Sequence, residues 1–207
     1  DRPSSGKVFV DGKDIFSLKD EELTIFRRRK IGFVFQAYNL VPVLNVYENI
    51  VLPIELDGGK VDKEFVKKIT ETLGLDQRLD ALPNQLSGGQ QQRVGIARTL
   101  ALNPDFIVCD EPISALDVSI QAQIINHLEK IQDEQGISYL FIAHDLGMVK
   151  HISHKIGVMY LGHLVEFGDA DEVYNHPLHP YTEALMSAAP IPDPKLARES
   201  KRIMLKG

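Results

Sequence analysis

Two stretches of the sequence carry residue types that could handle phosphate groups. The first is Ser87-Gly88-Gly89, which directly precedes a segment, 90–100, with the hydrophobic pattern of a helix. A hydroxyl and two glycine amides at a helix N-terminus can bind an anion, because the first N–H groups of a helix have no partner within it. Glycines also let the backbone approach a phosphate that a side chain would block. We therefore predict an anion contact at this helix N-terminus.

The second stretch places two carboxylates after a short apolar run. Residues 106–109 read Phe-Ile-Val-Cys, which is typical of a strand buried on both faces of a parallel sheet. Asp110 and Glu111 follow at its carboxyl end, the edge of an open α/β sheet at which ligands bind. We expect these carboxylates to serve a metal ion and a water molecule rather than packing.

The elements that must position these residues follow from local sequence patterns. Asp11-Gly12 between two short runs predicts a hairpin over 7–15. Acidic residues near the start of 18–29 and arginines near its end predict a helix whose charges suit its dipole. The other predicted elements are a strand at 31–35, helices within 46–82 with a break at 57–59, a parallel βαβ unit of strand 106–109, helix 120–134 and strand 139–143, strands at 156–160 and 163–167, and helices at 169–175 and 182–188.

Composition limits the class of protein. The 207 residues are 43% hydrophobic and 25% charged, which are ordinary values for a globular domain with a sizeable core. The formal net charge of −6 argues against binding nucleic acid through global charge, so we expect no nucleic-acid partner. The single cysteine, Cys109, excludes an internal disulfide framework and is predicted to be a packed core thiol. No apolar run reaches the roughly 20 residues that span a bilayer, so we expect membrane association to go through a partner.

Together the motifs resemble the nucleotide-binding subunit of ATP-binding cassette (ABC) transporters. Their order and spacing are highly specific, and the resemblance extends from about Ser4 to the C-terminus. The motifs that carry it are LSGGQQQR from Leu86, Asp110-Glu111-Pro112, the SALD segment from Ser114, His144 after the apolar run 139–143, and Gln36, which looks like the family's glutamine loop.

The resemblance implies catalytic roles for Glu111, His144 and Gln36, and a metal-binding role for Asp110 and Gln36. Glu111 would be the general base that polarises the attacking water, a contribution of about 10²–10⁴-fold in rate. Asp110 would hold Mg²⁺ through its water shell. Gln36 would contact the metal and the water and report the state of a transmembrane partner. His144 would bond the γ-phosphate as the switch residue.

The resemblance also implies that two subunits share each nucleotide. Ser87, Gly88, Gly89 and Gln90 would contact a second ATP that is held mainly by an opposing subunit, and Asp117 would line the interface between them. The implied cofactors are ATP and Mg²⁺. The implied partners are a second ATPase subunit in a head-to-tail dimer, transmembrane permease subunits and, for an importer, a substrate-binding protein. The implied location is the cytoplasmic face of the inner membrane.

The sequence lacks the phosphate-binding loop of this family. That loop requires the pattern GxxxxGK[ST], whose backbone amides cradle the phosphates and whose lysine neutralises their charge. Gly6-Lys7, Gly12-Lys13 and Gly59-Lys60 all fail the pattern. In the family, the segment that resembles residues 2–7 follows the loop and its helix. We therefore expect the chain to be N-terminally truncated and, on its own, to hydrolyse no ATP.

The predicted fold is α/β, namely a P-loop NTPase-like ABC ATPase domain with a parallel core sheet, a helical subdomain and a short C-terminal helical extension. Residues 1–36 are assigned to the truncated ATPase core with its glutamine loop, 37–98 to the helical subdomain, 99–167 to the remaining core and 168–207 to the extension. Three prolines exclude a regular helix over 189–194, which is expected to end the compact domain. The charged tail 195–207 is expected to be mobile or to dock elsewhere.

Different parts of the sequence resemble different branches of the family. Residues 31–53 look like ATPases that drive lipoprotein release or macrolide efflux. Residues 103–190 look like oligopeptide and dipeptide importer ATPases, and the apparent join lies in or just after LSGGQQQRVGIAR. The leading prediction is peptide import by a mosaic sequence, and export by a lipoprotein-release or macrolide-type ATPase is the alternative.

Two further classes of protein stay open. A translation or DNA-repair ATPase of the same superfamily would need tandem cassettes or a long coiled-coil insertion, and the sequence has neither. A non-catalytic partner or regulatory subunit could lack the phosphate loop, although the presence of Glu111 and His144 argues against long-standing degeneration. His151 and His154 have no cysteine or carboxylate at ligand spacing, so surface or turn roles are predicted for them.

Overall fold

The structure is a computed structural model that describes residues 3–188. The predicted proline-rich break at 189–194 and the charged tail at 195–207 lie outside the described residues. The chain folds into two compact units, one up to Ile142 and one from Ala143. The finer division of the chain into four segments stays a prediction. Among residues 3–188, no helix is both long and apolar enough to cross a membrane.

The N-terminal hairpin forms as predicted. β1 (Phe9–Val10) pairs antiparallel with β2 (Lys13–Asp14). Asp11 and Gly12 between them have φ angles of 56° and 71°, as both central residues of a type I′ turn require. α1 (Asp20–Lys30) follows, with three acidic residues in its first turn and four basic residues in its last.

A parallel sheet of three strands forms the centre of the first unit. β3 (Ile31–Val34) pairs with β4 (Phe106–Asp110), which pairs with β5 (Ser138–Ile142). α5 (Val118–Gln135) connects β4 to β5 and is capped by Gly136, whose φ is 69°. The predicted parallel βαβ unit is therefore confirmed.

The two faces of this sheet differ in burial. Val34, Ile107 and Cys109 are at most 3% exposed on one face. Phe106 and Val108, which point to the other face of β4, are only half-buried, so the prediction of a strand buried on both faces is wrong. That outer face is not fully covered by residues 3–188, and its most exposed apolar side chains are Phe33 (41%), Phe35 (43%), Leu140 (50%) and Ile142 (45%).

Three helices between β3 and β4 complete the first unit. They are α2 (Val46–Leu56), α3 (Lys63–Thr72) and α4 (Gly88–Leu100). The predicted break at 57–59 is confirmed. α4 packs against α2 and β3, and it begins two residues earlier than predicted, with both signature glycines inside its first turn.

As far as residue 188, the second unit contains a hairpin and three short helices. β6 (Lys155–Tyr160) pairs antiparallel with β7 (His163–Asp169). The helices are α6 (Leu146–Ile152), α7 (Ala170–Asn175) and α8 (Pro180–Ser187). The last helix begins two residues before the predicted start, because Pro180 occupies its first position, where a missing N–H costs nothing. A cluster of Ile156, Val158, Ala170 and Val173 forms the core of this unit.

Glu166 on β7 holds the chain before α8. Its carboxylate accepts hydrogen bonds from the backbone N–H groups of Leu178 (2.9 Å) and His179 (3.0 Å). Burial by itself raises the pKa of this carboxyl. The hydrogen bonds that the carboxylate accepts outweigh that effect and hold the pKa of Glu166 below its usual range.

Candidate active site

The carboxylates lie where the sequence places them, at the carboxyl end of β4. Asp110 is the last residue of the strand and is exposed, while Glu111 is half-buried. The Glu111 N–H donates to the Ile142 carbonyl (2.9 Å) at the end of β5. The Glu111 carbonyl accepts from the Ser114 hydroxyl (3.2 Å). Both bonds fix the direction in which the chain leaves the sheet, and Glu111 has a left-handed backbone with φ of 45°.

Gln36 leaves the sheet beside these carboxylates. Val34 is the last residue of β3 and lies opposite Cys109 in the parallel register. Gln36 follows Val34 by two residues and is exposed, and Asp110 follows Cys109 by one. Since the carboxyl ends of parallel strands meet at one edge, Gln36, Asp110 and Glu111 emerge at the same edge of the sheet.

Ser87 caps the helix that carries the signature sequence. The Ser87 Oγ accepts from the Gln90 N–H (3.3 Å), and the Gln90 Oε1 accepts from the Ser87 N–H (2.9 Å). This reciprocal pair is a capping box. Because the Ser87 oxygen accepts, its hydroxyl proton stays available to donate to an anion. The predicted hydroxyl and glycine amides at a helix N-terminus are therefore present in the structure.

The two signature glycines are also required by packing inside the chain. A Cβ built on Gly88 would lie 2.7 Å from the Tyr38 Oη. A Cβ built on Gly89 would lie 2.6 Å from the Ile120 Cγ2. Real Cβ atoms essentially never come this close to another heavy atom. The sequence pattern predicted these glycines from phosphate approach alone, and the structure adds a packing reason that applies without any nucleotide.

Asp117 caps α5 and thereby positions the residue that packs on Gly89. Its Oδ1 accepts from the Ile120 N–H (3.1 Å) and from the Ser119 hydroxyl (2.7 Å). The Ser119 hydroxyl is the largest of the effects that hold the pKa of the Asp117 carboxyl below its usual range, followed by the Ile120 N–H. The SALD segment and the signature helix thus meet through Ile120 within one unit. The role of Asp117 at a subunit interface stays a prediction.

His144 belongs to the second unit. It is exposed and lies in sequence between the end of β5 and α6. Its role toward a γ-phosphate stays a prediction.

Three polar residues of α4 were missed by the sequence analysis. Gln92 is 1% exposed, and its Nε2 donates to the Phe35 carbonyl (3.4 Å). Thr99 is 5% exposed, and its hydroxyl lies 2.8 Å from the Phe33 carbonyl. Arg98 donates to two carbonyls just beyond Gln36. The sequence feature that could have identified these three residues is their position on the buried stripe of a helix. That position does not indicate which loop their side chains contact.

Cys109 stays outside this chemistry. Cys109 is fully buried, and burial raises the pKa of its thiol to about 12, which confirms the predicted core thiol. Within residues 3–188, no group of three or more His, Cys, Asp or Glu side chains is arranged to hold a metal ion. Two of the arginines that end α1 also bind a carboxylate, since Arg28 and Arg29 both pair with Asp57, at 2.6 and 3.2 Å.

The donor set at the sheet edge fits Mg²⁺ bound together with a nucleotide. Mg²⁺ keeps several waters and is usually held by one or two carboxylates plus substrate phosphates, so a full cage of protein ligands is not needed. The exposed Asp110 offers one carboxylate oxygen donor, and Gln36 offers an amide oxygen at the same edge. The N-terminus of α4 fits a phosphate through the Ser87 hydroxyl and the first-turn amides.

Two family models match the chain. The model described as "ABC transporter" matches residues 1–114. The model described as "Oligopeptide/dipeptide transporter, C-terminal region" matches residues 165–205. The second match includes Glu166 and the turn that it holds before α8.

Curated relatives are similar over the length of the chain. It is 48% identical to the putative oligopeptide transport ATP-binding protein YkfD of Bacillus subtilis, over 100% of the chain and 64% of that protein. It is 47% identical to the oligopeptide transport ATP-binding protein OppF of Salmonella typhimurium, over the same two shares. The dipeptide transport ATP-binding protein DppF of Lactococcus lactis is 44% identical, over 97% of the chain and 66% of that protein. The chain thus spans slightly less than two thirds of the first two relatives, and the exporter-like interpretation of residues 31–53 stays a prediction.

The solved structures show the same architecture. A dimeric post-hydrolysis structure of the ATP-binding cassette MJ0796 bound to ADP and Pi superposes with a TM-score of 0.71 at 38% identity. The superposition covers 82% of the chain and 75% of that structure. A second dimeric structure of MJ0796, described as a bacterial ABC transporter cassette, gives a TM-score of 0.72 at 36% identity. The predicted α/β cassette fold is therefore confirmed.

Proposed function

The chain belongs to the ABC transporter family, and on that premise we propose that it is part of an ATP-binding subunit that couples ATP hydrolysis to the import of oligopeptides or dipeptides. The observation that carries the proposal is the arrangement within the first unit. Gln36, Asp110 and Glu111 share one edge of the sheet, and the signature helix packs on the SALD segment that follows them. The match of residues 165–205 to the oligopeptide/dipeptide C-terminal region supports peptides as the cargo.

The proposed mechanism assigns the chemistry of hydrolysis to the sheet edge. Glu111 accepts a proton from the attacking water while Gln36 orients that water. Asp110 would hold Mg²⁺ through its water shell, and the bound ion would supply positive charge to neutralise the phosphates. His144 donates to the γ-phosphate. Because phosphoryl transfer depends mainly on position and charge, the fixed exit of the chain at Glu111 is part of this function.

The signature helix would act across a dimer. Ser87 donates its hydroxyl, and Gly88 and Gly89 their first-turn N–H groups, to a nucleotide held mainly by the opposing subunit, while Gln90 keeps Ser87 oriented through the capping box. Asp117 lines the same interface. The partners of the proposal are a second ATPase subunit arranged head to tail, transmembrane permease subunits and a substrate-binding protein, with the chain at the cytoplasmic face of the membrane.

The 207 residues supply only part of the nucleotide site. The sequence contains no GxxxxGK[ST] segment, and the outer sheet face leaves Phe33, Phe35, Leu140 and Ile142 between 41 and 50% exposed. A phosphate loop joins a strand to a helix, and that helix needs an apolar surface on which to pack. We propose that residues beyond these 207 supply the loop and cover this face, and that the chain alone hydrolyses no ATP.

The experiment compares ATP binding and hydrolysis by this chain with a longer version that carries a phosphate loop ahead of residue 1. Calorimetry with Mg²⁺ should detect binding only by the longer version. Its turnover should fall by about 10²-fold or more in Glu111→Gln. Glu55→Gln, at an exposed position of α2, is the matched control and should keep full turnover. Hydrolysis by the short chain that Glu111→Gln abolishes would show that other residues bind the phosphates.

The cargo is tested in the assembled transporter. Vesicles that contain the permease subunits should take up labelled oligopeptides with ATP and the longer version, and should not do so with its Glu111→Gln variant. Release of a lipoprotein or efflux of a macrolide by the same assembly, without peptide uptake, would favour the export alternative and contradict the proposed direction.

A further inference from the structure

The loop 35–45, which carries Gln36 and joins β3 to α2, is held by side chains of α4 and α2. At its start, the Gln92 Nε2 donates to the Phe35 carbonyl (3.4 Å). Two residues beyond Gln36, the Arg98 Nη2 donates to the Tyr38 carbonyl (3.1 Å). The Arg98 Nη1 donates to the next carbonyl, that of Asn39 (2.6 Å). Both donors belong to α4, the signature helix.

The end of the same loop is held by α2. Asn49 is 0% exposed, and its Oδ1 accepts from the Val41 N–H (2.8 Å). Its Nδ2 lies within hydrogen-bond distance of the carbonyls of Val41 (3.1 Å), Leu44 (2.8 Å) and Asn45 (2.9 Å). Because α2 packs against α4, the later half of the loop is fixed to the same pair of helices as the earlier half.

Arg98 is suited to this task by its shape. Burial lowers the pKa of its guanidinium, and within residues 3–188 no carboxylate forms an ion pair with it. Its planar fork donates to two consecutive carbonyls at once, which the single ammonium of a lysine does with less geometric control. The charge of Arg98 is therefore satisfied by the loop backbone itself.

Tyr38 forms a second link between the loop and the helix. The Tyr38 hydroxyl lies close to Gly88, since a Cβ atom added to Gly88 would be only 2.7 Å from the Tyr38 Oη. The same residue therefore contacts α4 through its carbonyl, at Arg98, and through its side chain, at the first turn that follows Ser87.

We propose that Arg98 is a positioning residue that makes the loop 35–45, and with it Gln36, follow α4 as one body. The inference rests on the proposed function in one respect, namely that Gln36 and the first turn of α4 both serve ATP hydrolysis. A displacement imposed on the loop by a transmembrane partner is then transmitted to the nucleotide-facing end of α4 through Arg98. Gln36 and the signature residues move together.

The first test is limited proteolysis of the 207-residue chain with chymotrypsin, with fragments identified by mass spectrometry. Cleavage after Tyr38 requires the loop to open, and its rate follows the open population when closing is fast. Arg98→Gln should accelerate that cleavage at least tenfold, and Arg98→Lys should give a smaller increase. Arg78→Gln, at an exposed arginine in the same unit, is the control and should leave the rate unchanged.

The pattern of cleavage separates positioning from general stability. Cleavage after Tyr139 or Phe141 in β5 should keep its wild-type rate in Arg98→Gln. Equal acceleration at Tyr38 and in β5 would show that Arg98 only stabilises the fold and would overturn the proposal. An unchanged rate at Tyr38 would overturn it as well.

The second test is a double-mutant cycle on ATP turnover in the version that carries a phosphate loop. If Arg98 acts through Gln36, Arg98→Gln should lower kcat in the wild-type background and cause no further loss in Gln36→Ala. The same fold loss in both backgrounds would refute an action through Gln36. Absence of turnover in the otherwise unchanged longer protein would contradict the proposed function, while the proteolysis result would still decide whether Arg98 holds the loop.

Discussion

Replacement of Gly89 by alanine gives a sharp test of why the signature sequence contains this glycine. Gly89 is buried in the first turn of α4, and a Cβ there would lie 2.6 Å from the Ile120 Cγ2 and 3.7 Å from the Ile120 Cβ. Ordinary carbon–carbon contacts lie at about 3.5–4.0 Å, so the overlap is roughly 1 Å. Ile120 lies in the first turn of α5, where a β-branched side chain has one strongly preferred χ1 rotamer and cannot rotate away cheaply.

The expected loss of stability follows from two opposing effects. Overpacking of a filled site costs about 1–3 kcal/mol. A glycine-to-alanine change inside a helix stabilises by about 0.5–1 kcal/mol. We therefore expect Gly89→Ala to lower the free energy of unfolding by about 1–2 kcal/mol in the absence of any nucleotide.

Urea unfolding followed by far-ultraviolet circular dichroism measures this change, since the chain has no tryptophan to report by fluorescence. Gly95→Ala is the matched control in the same helix. A Cβ built on Gly95 meets nothing closer than the Tyr38 carbonyl oxygen at 3.8 Å, an ordinary contact. This variant should be neutral or more stable by up to about 1 kcal/mol.

Ile120→Leu supplies the second arm, because it moves the branch from Cβ to Cγ and so removes the clashing methyl group at a cost below about 1.5 kcal/mol. The penalty of Gly89→Ala should shrink in that background. The packing argument is refuted if Gly89→Ala is as stable as Gly95→Ala, or if its penalty is the same with leucine at position 120.

Three further outcomes are expected. Asn49→Ala should lower the free energy of unfolding by about 2–4 kcal/mol in urea titrations, because the backbone of the loop 35–45 loses buried hydrogen-bond partners. Asn84→Ala, at an exposed position, is the control and should change the free energy of unfolding little. Equal effects of the two substitutions would contradict the role given to Asn49. Cys109, with a buried thiol of pKa about 12, should react with a thiol reagent at neutral pH only as fast as the chain unfolds, and rapid labelling of the native protein would contradict this. The folded-state pKa of Glu166 lies below its unfolded value, so its stabilisation is present above the unfolded pKa and is lost as pH falls through the folded pKa. Glu166→Gln should therefore lower the thermal midpoint at neutral pH, with a difference from the unchanged chain that vanishes in acid; a constant difference at every pH would refute the linkage.

Much of the fold was predicted from short sequence patterns, because turns and helix ends are determined by residues that are close together in the chain. Asp11-Gly12 predicts its own turn, and the break at 57–59 follows from the composition of those residues. The two-residue error at the start of α4 was avoidable, since Ser87 and Gln90 have the spacing of a capping box.

The rest of the candidate site depends on partners that are distant in sequence. Nothing around Gly89 in the chain indicates that Ile120 packs on it, and nothing around Arg98 indicates that its donors reach Tyr38 and Asn39. The apolar run of β4 predicted that both faces of this strand are buried. Such a run shows that both faces are apolar, but it does not show whether residues 3–188 provide a layer that covers each face.

On the proposed role of Glu111 as the general base, its left-handed backbone bears on how an inactive form of the protein should be prepared. A non-glycine residue at φ of 45° carries a conformational penalty of about 1–2 kcal/mol, which asparagine and glycine largely escape. Glutamine at this position keeps that penalty together with nearly the shape of the glutamate, so it removes the base and perturbs little else. Asparagine would remove the carboxylate and also relax the backbone, and so would change the conformation at this position as well as the chemistry. If Glu111 is the proposed base, a trapped complex that keeps the backbone of the unchanged protein is therefore better made with glutamine.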